Sequence, residues 1–227
     1  MKVTLIGIDL AKSIFQLCGV NQAGKAVFNR TIKRKDLLAF LADYPDATIA
    51  MEACSGSNHW GRTLEGRGFK VLLIPPIHVK PFVKGNKNDR NDAFAITEAA
   101  KRPNMHFVRP RSLEQTDMMI VHKLRKRRVD ARTALINQLR GLLNEYGIVL
   151  ATGRATLKNA LHDLLEEAEN GLTGAARELI RDIQQEWASL DVVIDRLDKH
   201  IKTQAQANPN AKRLMTIRGV AEKTATT

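Results

Sequence analysis

What most constrains the fold of this chain is the order of its short apolar runs. Residues 3–10 (VTLIGIDL) are a run of β-formers of strand length, and residues 14–20 (IFQLCGV) follow as a second. Residues 21–24 supply turn formers, and residues 26–32 make a third strand, so the chain opens as a β-meander. Residues 35–42 carry Leu37, Leu38 and Leu41 on one side, which predicts a helix that Tyr44-Pro45-Asp46 breaks. A fourth strand is expected over 48–53, a helix over 58–67 ended by Gly68, and a fifth strand over 70–74 stopped by Pro75-Pro76. Residues 80–88 are basic and polar and read as a loop, and 89–102 as a helix stopped by Pro103. The order β-β-β-α-β-α-β-α implies a mixed α/β sheet with helices packed on it. It is the order of the RNase H-like fold.

Beyond Arg111 the pattern lengthens and becomes helical. Residues 113–146 place Ile120, Leu124, Ala131, Leu135, Leu139, Leu142 and Tyr146 on one stripe, and 157–168 read as a further helix. Ile180, Ile183, Trp187, Leu190, Ile194, Leu197 and Ile201 then alternate spacings of three and four, a heptad seam over three repeats. Such a seam serves either an antiparallel helical hairpin within one chain or a coiled coil between two copies. Asn208-Pro209-Asn210 reads as a linker. The expected division is 1–111 for the α/β domain, 112–205 for an α-helical coiled-coil region and 206–227 for the opening of a further domain.

Four carboxylates stand out against this frame. Asp9 ends the first strand, and Glu52 ends the fourth, each after an apolar run. A buried, unpaired carboxylate is costly, so such positions ask for a cation or for hydrogen-bond donors. Asp89 and Asp92, in KNDRNDA, are three apart and share one face of a helix's first turn. Each has an ordinary explanation. Asp caps turns and is welcome at helix N-termini, and Glu is common at sheet margins. Taken together, the inferred fold lets all four converge. A carboxylate set suits hard cations such as Mg²⁺. Two such ions, ~4 Å apart, stabilise the entering and leaving oxygens of a phosphoryl displacement.

The net charge of +12 points to a polyanionic partner, most simply nucleic acid. Lys84 and Lys87 precede the acidic pair, and Lys123, Arg125, Lys126, Arg127 and Arg128 form a nearly single-signed run, so these are the expected phosphate contacts. A solvated helix face is the competing reading of the run. The two cysteines, Cys18 and Cys54, make no disulfide framework, and the histidines lack zinc spacing. A reducing, cytoplasmic setting is expected, without signal peptide or membrane span. ACSGS at 53–57 lacks the frame of a nucleophile elbow, and the glycines form no phosphate-binding loop.

GIDLAK, MEACSG and KNDRNDA, in that order, resemble the signatures of the insertion-sequence-110 type transposases, named DEDD after four acidic residues. The match falls on Asp9, Glu52, Asp89 and Asp92, and the tail RLMTIRGVAEKTA resembles the start of that family's C-terminal transposase domain. The resemblance implies a fold similar to RuvC-type junction resolvases, Mg²⁺ dependence and DNA strand cleavage and recombination. It also implies a guide RNA in some members, homo-oligomers held partly by the helical region, and a nucleophilic serine in the C-terminal domain. The last serine here is Ser189, inside the heptad helix, so that nucleophile is expected to be missing. Three other classes fit parts of the pattern. A metal-dependent junction-resolving nuclease needs only the acidic cluster. A nucleic-acid-binding protein that dimerises through the seam needs no acidic residue at all. A sugar-kinase-like ATPase suits GIDLAK but lacks a second phosphate loop.

Overall fold

The computed structural model describes residues 2–83, 88–150, 153–167 and 169–226. The chain forms two compact units, the first ending at Glu114 and the second beginning at Gln115.

In the first unit, β1 (Leu5–Leu10), β2 (Ile14–Val20) and β3 (Ala26–Lys33) are the meander, followed by α1 (Leu37–Leu41), β4 (Thr48–Glu52), α2 (Ser57–Glu65) and β5 (Val71–Ile74). Among the described residues these strands make one mixed sheet in the order β3-β2-β1-β4-β5. β2 runs antiparallel to β1 and β3, while β1, β4 and β5 are parallel. This is the RNase H-like arrangement that the order of apolar runs predicts. β1, β3 and β4 therefore all end at the same edge of the sheet.

The two faces are covered differently, as the period of two requires. Ile6, Ile8, Phe15, Leu17, Ile49 and Met51 pack with α1 and α2 in one cluster. Leu5, Cys18, Val20, Ala50 and Ile74 pack on the other face with Ala93, Ile96 and Ala99 of the helix at Asp89–Ala100. Pro75-Pro76 end β5 at Ile74 as expected, and Pro76 then opens the short helix α3 (Pro76–Val79), with a 3₁₀ turn after it at Lys80–Phe82 inside the expected loop, and α4 at Asp89–Ala100. Proline is tolerated in the first turn of a helix, where its missing N–H costs nothing.

The second unit contains most of the long helix α5 (Leu113–Asn144), with α6 (Arg154–Glu166), α7 (Gly174–Ala207), α8 (Pro209–Met215) and α9 (Glu222–Ala225). The expected linker at Asn208-Pro209-Asn210 is instead a helix start: the Asn208 side chain accepts from the backbone of Asn210 and Ala211, and Pro209 takes the first helical position. The stripe on α5 also differs. Leu135, Ile136, Leu139 and Leu143 are buried, whereas Ile120, Leu124, Leu142 and Tyr146 are exposed. On α7 the heptad residues Ile180, Trp187, Leu190, Ile194 and Ile201 are buried. Arg125 of α5 pairs with Asp198 of α7 at 2.5 Å, and Arg132 with Asp191 at 2.6 Å. One number rises as the other falls, by one heptad, so α5 and α7 lie antiparallel within the chain. No helix among the described residues is long and apolar enough to cross a membrane.

Candidate metal centre

The site begins with a glycine. At Gly7 of β1 an added Cβ would lie 2.6 Å from the Ala93 carbonyl oxygen and 2.6 Å from Cγ2 of Thr97, both on α4. Only a residue without a side chain lets α4 cross the sheet this closely. Two residues on, Asp9 projects to the same face of β1 as Gly7. α4 is opened by Asn88, whose side chain accepts from the Asn91 backbone N–H at 2.9 Å. Asp89 and Asp92 occupy its first turn, where the helix dipole favours negative charge.

Asp9, Asp89 and Asp92 thereby come together: each offers a carboxylate oxygen within 4.8 Å of the others. Asp9 and Asp92 are half-buried and Asp89 is exposed. Unit like charges about 4 Å apart near a protein surface repel by about 4 kcal/mol. A cation among them removes that cost. The donor set is all carboxylate oxygen, which fits a hard divalent ion rather than zinc or copper.

Glu52 stands outside this trio. It is half-buried at the end of β4, on the strand beside β1 and on the same sheet face as Asp9, by alternation from Met51 and Ile8. Cys54 reports on both carboxylates. Burial pushes its thiol above the ordinary value, and the charges of Glu52 and then Asp9 push it further. Ser57, behind this loop, is fully buried, and its hydroxyl donates to the Cys54 carbonyl at 2.8 Å.

A polar chain that the sequence reading missed ties α4 to the sheet. Gln16, 6% exposed, sits opposite Asp9 in the β1–β2 register. The Thr31 hydroxyl donates to Gln16 Oε1 at 2.8 Å, and Gln16 Nε2 donates to Asn29 Oδ1 at 2.6 Å. Asn29 Nδ2 donates in turn to the Arg90 carbonyl at 2.9 Å, between the two aspartates of α4. The only advance signal was a polar residue, Gln16, inside an apolar strand.

Of the expected phosphate contacts, Lys84 and Lys87 lie outside the described residues. Lys123, Lys126 and Arg127 are exposed on α5, with Lys126 paired to Asp130 at 2.7 Å. Arg128 is half-buried, and Arg125 is taken up by Asp198. Partial burial raises the Asp198 carboxyl, but hydrogen bonds and charge from Arg125 and Lys223 outweigh it and hold the group below its ordinary value. Ser189 is exposed on α7, its hydroxyl donating to the Gln185 carbonyl at 2.9 Å.

A family model described as a transposase, of the DEDD insertion-sequence-110 type, matches residues 6–148. The chain is 42% identical over 223 residues to the transposase for insertion sequence element IS1111A of Coxiella burnetii, covering 98% of this chain and 61% of that protein. It is 38% identical over 223 residues to the transposase for insertion sequence element IS1328 of Yersinia enterocolitica, covering 98% of this chain and 66% of that one. The chain thus spans less than two thirds of either relative. Among solved structures, Thermus thermophilus RuvC matches with a TM-score of 0.37 at 15% identity, over 46% of this chain and 99% of RuvC. The same protein in complex with a Holliday junction substrate matches with a TM-score of 0.36 at 16% identity, over 46% of this chain and 98% of RuvC.

Proposed function

The chain belongs to the insertion-sequence-110 type DEDD transposase family, and from that premise we propose that its first unit is the metal-dependent DNA-cleaving domain of an insertion-sequence transposase. The observation that carries this reading is the convergence of Asp9, Asp89 and Asp92 from β1 and α4. These three carboxylates would hold Mg²⁺, with Glu52 completing the set from the neighbouring strand. When bound, a pair of such ions stabilises the entering and leaving oxygens of an in-line phosphodiester displacement. The chain's own part is placement. β1 and β4 fix Asp9 and Glu52 through ladder hydrogen bonds, and α4 carries Asp89 and Asp92 as one rigid turn held down at Gly7 and Arg90.

DNA is the substrate in this reading, in a cytoplasmic setting. The exposed cations of α5 supply non-specific phosphate affinity. A structured guide RNA and assembly of copies through the helical unit belong to the same reading, and neither is needed for the metal centre to form.

Calorimetric titration of the full chain with Mn²⁺ tests the centre, alongside Asp9→Asn combined with Glu52→Gln. Saturable binding that disappears in the variant is expected, followed by metal-dependent nicking of a branched DNA. Equal weak binding by two well-folded proteins would sink the metal centre, and leave a basic nucleic-acid-binding protein as the better description.

A further inference from the structure

We propose that a basic groove at the carboxylate-bearing edge of the sheet binds the phosphodiester backbone of the DNA strand presented to the metal centre, an inference that rests on the reading above. The groove has a volume of about 720 Å³ and lies within the first unit. Its cations are Lys12 from the β1–β2 turn and Lys33, Arg34 and Lys35 from the end of β3, and His59 from α2 also lines it. Lys33, Arg34 and Lys35 are consecutive in sequence, and the sheet brings Lys12 to them: Ile14 pairs with Lys33 in the β2–β3 register, which sets the two turns side by side. Because β1, β3 and β4 end at one edge, these turns share that edge with Asp9 and Glu52. The groove opens on the α1 and α2 face and the carboxylates on the α4 face, so a strand crossing the edge meets both.

The lining is unbalanced in charge. Among the described residues, no ion pair engages Lys12, Lys33, Arg34, Lys35 or His59. Asp36 follows in the chain but does not line the groove. Elsewhere Lys2, Lys126 and Arg132 are each paired with an aspartate. Arg34 is also held in place: its guanidinium lies 5.6 Å from the Phe15 ring centre and 5.4 Å from that of Trp60. A fixed cation loses less freedom on binding than a free one.

The floor says which part of DNA is held. Ile14, Leu38 and Trp60 form it, but Trp60 is only 6% exposed and offers no ring face for a base to stack on. Cations around an apolar floor without stacking platforms suit the sugar-phosphate chain, which positions a strand without reading its sequence. A cleft of this size exceeds what a single phosphate fills.

The test is fluorescence anisotropy of the full chain with a labelled branched DNA, in Ca²⁺ to limit cleavage, across a salt series. The variants are Lys33→Gln with Lys35→Gln, and Lys12→Gln. Lys2→Gln, at the opposite edge of the sheet, is the charge control. The double variant is expected to weaken binding on the order of tenfold at low salt and to flatten the log–log salt slope by about 0.9 per lost phosphate contact. Mn²⁺ calorimetry should be unchanged in every groove variant. An affinity and slope matching the Lys2→Gln control would overturn the proposal, as would a loss confined to a single-stranded RNA competitor with DNA binding intact. A parent chain that binds Mn²⁺ but not DNA would overturn this inference alone. A parent that binds DNA through the groove but binds no Mn²⁺ would overturn the metal centre and leave the groove standing.

Discussion

Asn29 touches none of the carboxylates, yet its side-chain amide holds the backbone between Asp89 and Asp92. The isosteric change Asn29→Asp keeps the acceptor that Gln16 uses and replaces the donor to the Arg90 carbonyl with a lone pair. Groups behind a metal's direct ligands typically tune affinity by 10–100-fold, and Asn29 acts through backbone, so a loss of about tenfold in Mn²⁺ affinity is expected by calorimetry. An unchanged isotherm would mean that the first turn of α4 is held from elsewhere. This residue was invisible beforehand because its role depends on a hydrogen bond that crosses from the third strand to the last helix of the unit. Asp89 and Asp92 were legible for the opposite reason: their relation is local, a spacing of three within one helical turn.

At the scale of elements, the packing of α4 on β1 is the joint on which the centre depends. Gly7→Val would drive methyl groups into the Ala93 carbonyl and Thr97, where contacts are already at 2.6 Å for a Cβ alone. Overpacking of this kind costs about 1–3 kcal/mol, to be read from the urea midpoint. Because the displaced helix carries two of the three clustered aspartates, Mn²⁺ affinity should fall with it. A variant that loses stability but binds Mn²⁺ normally would show that the joint can shift without moving the ligands. The strands were legible to within a residue or two because alternation and turn residues are local signals. Pro209 was not: it opens a helix where a linker is expected, because a proline's fixed φ serves a start as well as a stop. On α5 the periodicity gave the helix but not its buried side, since Ile120 and Leu124 are as apolar as Leu135 and Leu139. The groove was not legible because its basic run, Lys33 to Lys35, is short, and strand register is what adds Lys12 to it.

The whole molecule divides its apolar residues between separate cores, two on the faces of the sheet and one among the helices. Trp187, 2% exposed, sits in the helical core. Trp187→Ala should therefore lower the stability of that unit by about 3–5 kcal/mol in denaturant melts. The Mn²⁺ isotherm should not change. Loss of metal binding in a variant whose sheet signal persists would mean that the centre needs the helical unit. The centre also has an order of events built into it. Its first carboxylate is on the first strand and its last is on α4, with the rest of the sheet made in between. A ribosome that has delivered Asp9 has delivered nothing that can hold an ion. The carboxylate trio can therefore assemble only after α4 has emerged and docked against β1.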